Sequence, residues 1–307
     1  MPPRSAVWPI DEHTRGKHLV LGYYLDAWLP ILGSTHGRVI FIDGFAGPGK
    51  YQGGEPGSPI IAMRAVKRHV ARRANWDAAF LFVEADAARC ALLRDEVDRE
   101  RVGLPTTFHF DVECGDFAPT LNKLLDQVAT AGFQVAPSFM MVDPFGISGA
   151  PMAVIRRFLS LPRAEVLVTF MVDFIDRFDE TGEFPPHLDE LYGTHEWAGI
   201  DTTAAKPLRL AAYCDLYRQQ LKVAGATHVL QFDLYSGNRL VYALFHASRH
   251  PLACQRMKEA LWRADPSGEL SFRASRTGQQ GLVFGADFSE LRGELRSFLS
   301  GRDWTPV

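Results

Sequence analysis

The sequence predicts an α/β fold in which a mostly parallel sheet is flanked by helices and closed by an antiparallel hairpin. Three observations lead there. Short apolar segments rich in Val, Ile and Phe alternate with longer segments of helical periodicity between residues 38 and 172. Each apolar segment runs into an acidic residue, and the acids recur at what becomes one edge of a parallel sheet. Two further β-type segments, 229–235 and 240–245, are separated only by Ser236-Gly237-Asn238, which reads as a hairpin turn.

Taken in order, residues 1–12 carry prolines and polar residues and read as an arm. Thr14 is placed to cap a helix running to about residue 32, with Leu19, Leu21, Tyr23, Leu25, Trp28 and Leu29 on its apolar side. Pro30 falls in or just after its last turn, and Lys17 and His18 read as solvated residues near its start. A strand follows at 38–42. Ser58-Pro59 opens a second helix, Ser as cap and Pro at the first position, continuing to about residue 74. Its later half, Arg64, Lys67, Arg68, His69, Arg72 and Arg73, is basic on one side and is either a solvated face or a phosphate-contacting surface.

The remaining strands are expected at 79–83, 106–110, 138–142 and 165–172. The acids that follow them are Glu84 and Asp86; Asp111, Glu113 and Asp116; Asp143; and Asp173. Helices are expected at 87–101, 117–131 and 151–160 between them. Residues 174–225 change character and read as a helical insertion, with helical segments near 188–193 and 208–223. After the hairpin come a helix at 252–264, a polar tail with Phe272 and a last helix at 289–299. The division is a helical extension at 1–36, a sheet domain at 37–248 with an insertion at about 174–227, and a helical tail segment at 249–307.

Composition bounds the function classes. The chain has 307 residues, 47% hydrophobic and 22% charged, enough for a large core without disulfides. A net charge of −3 argues against a protein that coats nucleic acid, while leaving room for a local basic face. The four cysteines, Cys90, Cys114, Cys214 and Cys254, show no C-x-x-C spacing, so isolated buried thiols are expected and no metal site is signalled. No stretch has the length and apolarity of a membrane span, and no signal-peptide pattern is present; a reducing cytoplasm is the expected setting.

The strand at 38–42 ends in Asp43-Gly44-Phe45-Ala46-Gly47-Pro48-Gly49-Lys50. Gly44, four residues and then Gly49-Lys50 fit most of a phosphate-binding loop. The last position fails, because Tyr51 has no small hydroxyl for magnesium, and loop chemistry follows Lys50 where a helix should begin. Asp43 would also bring negative charge toward a phosphate. The other reading is the glycine loop of a class I S-adenosylmethionine (SAM) methyltransferase. SAM carries an ammonium, a ribose and an adenine but no phosphate, so an acid beside the loop helps.

Trp8, His13-Thr14, Lys17-His18, Tyr24-Leu25 and Trp28 resemble the opening helix of the three-Cys-motif partner proteins. So do the glycine loop with Gly57-Ser58-Pro59, then Glu84, Asp143-Pro144-Phe145-Gly146, Glu165-Val166-Leu167, Phe170-Met171 and Met257-Lys258-Glu259-Ala260-Leu261-Trp262. The resemblance spans nearly the whole chain and implies a Rossmann-like class I methyltransferase with SAM as cofactor. It also implies a radical-SAM-like three-Cys-motif protein as partner; the cysteines of that motif belong to the partner.

Carried over, Gly44, Phe45, Ala46, Gly47 and Gly49 would pass close to the methionine moiety, with Asp43 near its ammonium. Glu84 would accept the ribose hydroxyls. Asp116 would accept from the adenine amine beside Phe117, with Asp111 as the competing choice. Asp143, Pro144 and Phe145 stand where amino-methyltransferases of nucleic acids carry Asp-Pro-Pro-Tyr and would hold the acceptor in line with the methyl group. Phe145 occupies the second-proline position and Gly146 the aromatic one. The expected acceptor is a nitrogen or oxygen of a nucleic acid or nucleoside. A small molecule or peptide, a non-catalytic scaffold and an NTPase are the alternatives.

Overall fold

The computed structural model describes residues 5–70, 76–132, 134–179, 185–236, 238–265 and 271–274. The expected helix at 289–299 and the residues Arg72 and Arg73 lie outside them. The first helix, α1 (Glu12–His36), is capped by Asp11, whose carboxylate accepts from Thr14 N–H at 2.6 Å, so Thr14 lies inside the helix it was expected to cap. Pro30 sits within α1, which runs on to a left-handed Gly37 (φ 71°).

Alternation then proceeds as β1 (Arg38–Asp43), α2 (Ser58–Val70), β2 (Asp77–Glu84), α3 (Ala87–Glu100), β3 (Phe108–Cys114), α4 (Phe117–Ala131), β4 (Ser138–Val142), α5 (Met152–Leu159) and β5 (Ala164–Phe170). β5 stops at Phe170, short of the expected residue 172, because α6 (Val172–Asp179) begins at once and takes Asp173 into its first turn. The inserted helices are α7 (Pro185–Tyr192), a single 3-10 turn at Glu196–Gly199 and α8 (Lys206–Val223). The hairpin β6 (His228–Ser236) and β7 (Arg239–Ser248) follows, then α9 (Pro251–Ala264). The expected polar tail contains a short strand, β8 (Ser271–Ala274), which pairs parallel to β6.

These strands form one sheet in the order β3-β2-β1-β4-β5-β7-β6-β8. β1 to β5 are parallel, and β7 is antiparallel to both β5 and β6. β1 lies between β2 and β4, so crossovers leave it in opposite directions and a crevice opens at the carboxyl ends of β1 and β4. The sheet is sandwiched between two apolar layers. One joins Phe41, Phe80, Phe82 and Phe139 to α1, α2, α3 and α9. The other joins Met140, Val166, Phe170 and Phe245 to α4, α5 and the inserted helices.

Helix α1 meets one buried carboxylate of β5 in the first layer. Glu165, 6% exposed, accepts from the Tyr24 hydroxyl, from Trp28 Nε1 at 3.2 Å, and lies 3.3 Å from His246 Nε2. Burial, followed by the Glu165 charge, holds the Tyr24 phenol well above its ordinary pKa, so it stays a donor. The cysteines depart from expectation: Cys90 in α3 and Cys114 at the end of β3 form a disulfide, while Cys214 and Cys254 are free. Packing of α3 on β3 brings together two thiols whose sequence spacing gives no hint of it. No helix among the described residues is long and apolar enough to cross a membrane.

Removing one donor from a buried carboxylate costs about 1–3 kcal/mol or more. Tyr24→Phe is expected to lower stability by that amount in urea unfolding, with an unchanged m-value.

Candidate active site

Asp43 closes β1 and is fully buried. Its Oδ1 accepts from Phe45 N–H at 3.2 Å, and its Oδ2 has no hydrogen-bond partner among the described residues. Burial pushes its pKa up to about 7; the Ser58 hydroxyl and Phe45 N–H hold the rise back, and the charges of Asp143 and Glu84 add to it.

The turn beyond it is pinned by its own backbone. Gly44 N–H donates to Met141 O, Ala46 N–H to Val83 O and Gly57 N–H to Gly49 O, all at 2.8–2.9 Å. Gly47 and Gly49 have φ of 64° and 80°, which suit glycine. A Cβ on Gly44 would stand 2.5 Å from the Phe117 ring, so the glycine there makes room for the start of α4. Phe45 packs on Phe117 with ring centroids 5.2 Å apart. The turn spends these amides on its own main chain and leaves a buried acid beside it, and the acid suits a cationic ligand group.

The phosphate-loop alternative loses its support here. Helix α2 begins only at Ser58, and Lys50 is held by Glu96 of α3 at 2.5 Å.

Glu84 ends β2, 7% exposed, and its two oxygens accept from Gly47 N–H at 2.9 Å and Asp86 N–H at 2.8 Å. It therefore fastens the glycine turn to the neighbouring strand. A carboxylate retains lone pairs for ribose hydroxyls after two such bonds. Asp116 is exposed at the start of α4, makes no side-chain cap bond, and its neighbour Phe117 is buried. Asp111, the competing adenine acceptor, lies within β3 opposite Leu81 and short of the strand end. Neither Glu84 nor Asp116 lines the cleft that contains Asp143.

That cleft is built by α1, the glycine turn, the loop after β4, Met171 and Tyr242. Lys17 and His18, expected to be solvated, form its wall. Lys17 is 6% exposed and its Nζ lies 2.8 and 2.6 Å from the two oxygens of Asp143. Burial alone would lower the lysine pKa, but the Asp143 carboxylate outweighs it and the ammonium is held above its ordinary value. Burial and the adjacent Lys17 charge push His18 down to about 4, so its ring is neutral at physiological pH. The signal for Lys17 was present in the sequence: with Leu21, Tyr24 and Trp28 it forms one helical stripe, and those three are buried.

Aromatic side chains complete the cleft. Phe145 is 43% exposed, and its ring lies 5.6 Å from Trp8, which also meets Tyr51 at 5.8 Å. The Arg89 guanidinium stands 4.9 Å over the Trp8 ring, and Trp8 O accepts from Gln52 N–H. Trp8, Arg89, Tyr51 and Tyr242 were not among the expected site residues. The basic face of α2 reads differently in three dimensions: Arg64 and Lys67 pair with Glu100, and Arg68 with Asp26. Among the described residues no cluster of His, Cys, Asp and Glu could hold a metal ion.

No protein-family model matches the sequence, including any for the three-Cys-motif partner proteins, and the search of curated proteins gives no match. Solved structures do resemble the chain. The O-methyltransferase TomG from Streptomyces achromogenes, involved in tomaymycin synthesis and solved with SAM, shares 13% identity over 79% of this chain and 92% of its own, with a TM-score of 0.38. The METTL16 methyltransferase domain shares 14% over 74% of this chain and 66% of its own, at 0.39. The human methyltransferase 10 domain containing protein shares 13% over 76% and 83%, at 0.37. At these levels no residue role transfers from them, and the fold rests on the strand order itself.

Asp43 supplies a pH test. Its folded pKa near 7 lies above the ordinary 3.8, so its contribution to stability is full below pH 4 and is lost as pH rises through 7. Thermal melts at pH 5.5 and 8 should show wild type losing stability relative to Asp43→Asn, on the order of 2 kcal/mol.

Proposed function

We propose that the chain is a SAM-dependent methyltransferase acting on a nitrogen or oxygen of a nucleic-acid or nucleoside-like acceptor, together with a radical-SAM-like three-Cys-motif protein. The observation that carries the cofactor reading is the buried, half-satisfied Asp43 at the mouth of a glycine turn, beside Glu84 and across the sheet crevice from Asp143. The unpartnered Asp43 oxygen suits an ammonium, and the cradle of Gly44, Phe45, Ala46, Gly47 and Gly49 suits an amino-acid moiety pressed against main chain. Glu84 serves the ribose, and Asp116 with Phe117 the adenine. Bound SAM supplies an electrophilic methyl group.

The chain's own residues then position the acceptor. Lys17 fixes the Asp143 carboxylate with both oxygens engaged, which orients it while halving its freedom to accept further bonds. His18, neutral in the same cleft and with a pKa of about 4 too weak a base to take a proton near pH 7, offers a ring nitrogen for a hydrogen bond to the acceptor. The exposed Phe145 ring, behind Pro144, offers an apolar plate for a planar acceptor, which supports a nucleobase. With the α2 cations ion-paired, the nucleic-acid reading rests on this loop. The partner rests on the sequence resemblance.

A second reading, methyl transfer to the oxygen of a small molecule, is favoured by the Lys17–Asp143 contact. An ammonium beside the acceptor stabilises a developing oxyanion and disfavours a developing ammonium.

Calorimetric titration with SAM should show binding to wild type and at least tenfold weaker binding to Glu84→Ala. Equal affinities, or none for either protein, would sink the cofactor assignment. Asp143→Asn should keep wild-type SAM affinity and lose methyl transfer about 100-fold or more. The acceptor is read by incubating the protein with isotopically methyl-labelled SAM and cell extract, then analysing nucleosides by mass spectrometry. Label confined to small molecules would overturn the nucleoside reading.

A further inference from the structure

A second cavity, of about 420 Å³, lies at the other end of the sheet, where β5 begins. Small-molecule sites run from about 300 to 1,000 Å³. One wall is Trp28, Ile31 and Leu32 of α1, and the opposite wall is Leu252 and Ala253 at the start of α9. Glu165 is the one acid in its lining, and that carboxylate is already answered by Tyr24, Trp28 and His246.

Besides Tyr24, Thr35, His36 and His250, the polar lining holds three cations. Arg163, Arg249 and Arg256 all border the cavity. Arg249 Nε is committed to Gly225 O at 3.0 Å, and one Arg256 nitrogen to Glu259 at 2.7 Å. Arg256 Nε is buried with no hydrogen-bond partner among the described residues. The N-terminal end of α9, with Pro251 at its first position, adds the positive end of a helix dipole to the same side.

Arg163 is also the one non-glycine residue with positive φ among the described residues, at 56°. Its carbonyl accepts from Ser138 N–H at 3.1 Å, which fixes the turn between α5 and β5. Glycine would hold that conformation without strain, so an arginine there points to a task for its side chain.

We propose that this cavity binds a small amphipathic carboxylate, its apolar body against Trp28 and Ile31 and its carboxylate facing Arg163 and Arg256. The apolar walls select the body, and planar guanidinium groups select the anion. The site is separate from the glycine turn and stands whether or not the chain is a methyltransferase.

Calorimetry on the full chain tests it with 2-naphthoate against 2-naphthamide, which has the same shape without the charge. The expected result is saturable 1:1 binding of 2-naphthoate, about tenfold or more tighter than the amide. Arg256→Gln should weaken 2-naphthoate about tenfold without changing Tm. Arg163→Gly should weaken it similarly while Tm stays the same or rises, a combination that a purely structural arginine would not give. The proposal is overturned if 2-naphthoate, indole-3-acetate and octanoate all fail to bind at millimolar concentration. It is equally overturned if the amide binds as well as the acid, or if both arginine variants bind like wild type.

Discussion

The whole site depends on β1 being hydrogen-bonded along both edges. Pairing with β2 on one side and β4 on the other leaves the strand no exposed edge, and it sets Asp43 level with Phe82 and Met141, two residues before Glu84 and Asp143. Asp43, Glu84 and Asp143 are brought together by that register rather than by attraction, since three carboxylates repel. The cost appears in Asp43, whose pKa is displaced upward by burial and by the two neighbouring acids. Lys17 is the compensation: an ammonium delivered from α1 to the third carboxylate.

That delivery explains why α1 is long and where it lies. Its Leu21, Tyr24 and Trp28 stripe anchors the helix across the sheet, and the same stripe ends in Lys17 at one end of the strands and reaches the Glu165 network toward the other. One helix therefore seats an ammonium at one end of the sheet and two neutral donors on the Glu165 carboxylate toward the other. Both charges are enclosed, and both are matched by groups held in place by packing. A buried ion pair of this kind adds little net stability, but removal of one member is costly.

Much of this was legible in the residues. The apolar runs, the acids that follow them and the Ser236-Gly237-Asn238 turn are local signals, and they located the sheet and the crevice. Asp43 and the glycines were legible for the same reason, because a turn after a buried strand is written in consecutive positions. Lys17 was misread because a lysine near a helix start is usually solvated, although its spacing from Leu21, Tyr24 and Trp28 placed it on the packed face. The Cys90–Cys114 bond and the α2 ion pairs depend on residues distant in sequence, Glu100 and Asp26 among them, which no local pattern reveals. Asp111 was displaced from the rim because β3 runs on to Cys114, and the alternating exposure of that edge strand reads in sequence like a loop of acids.

Trp8 touches both halves of the crevice. A Cβ on Gly47 would come within 3.9 Å of its ring, and the same ring rests against Phe145. Any group that settles on the glycine turn and shifts Trp8 thereby alters the surface that Phe145 presents, and a group that stacks on Phe145 alters the cover over the turn. Thermodynamic linkage makes the two effects equal in free energy. Through one indole ring, the affinity for each ligand depends on whether the other is bound, by the same factor in either direction.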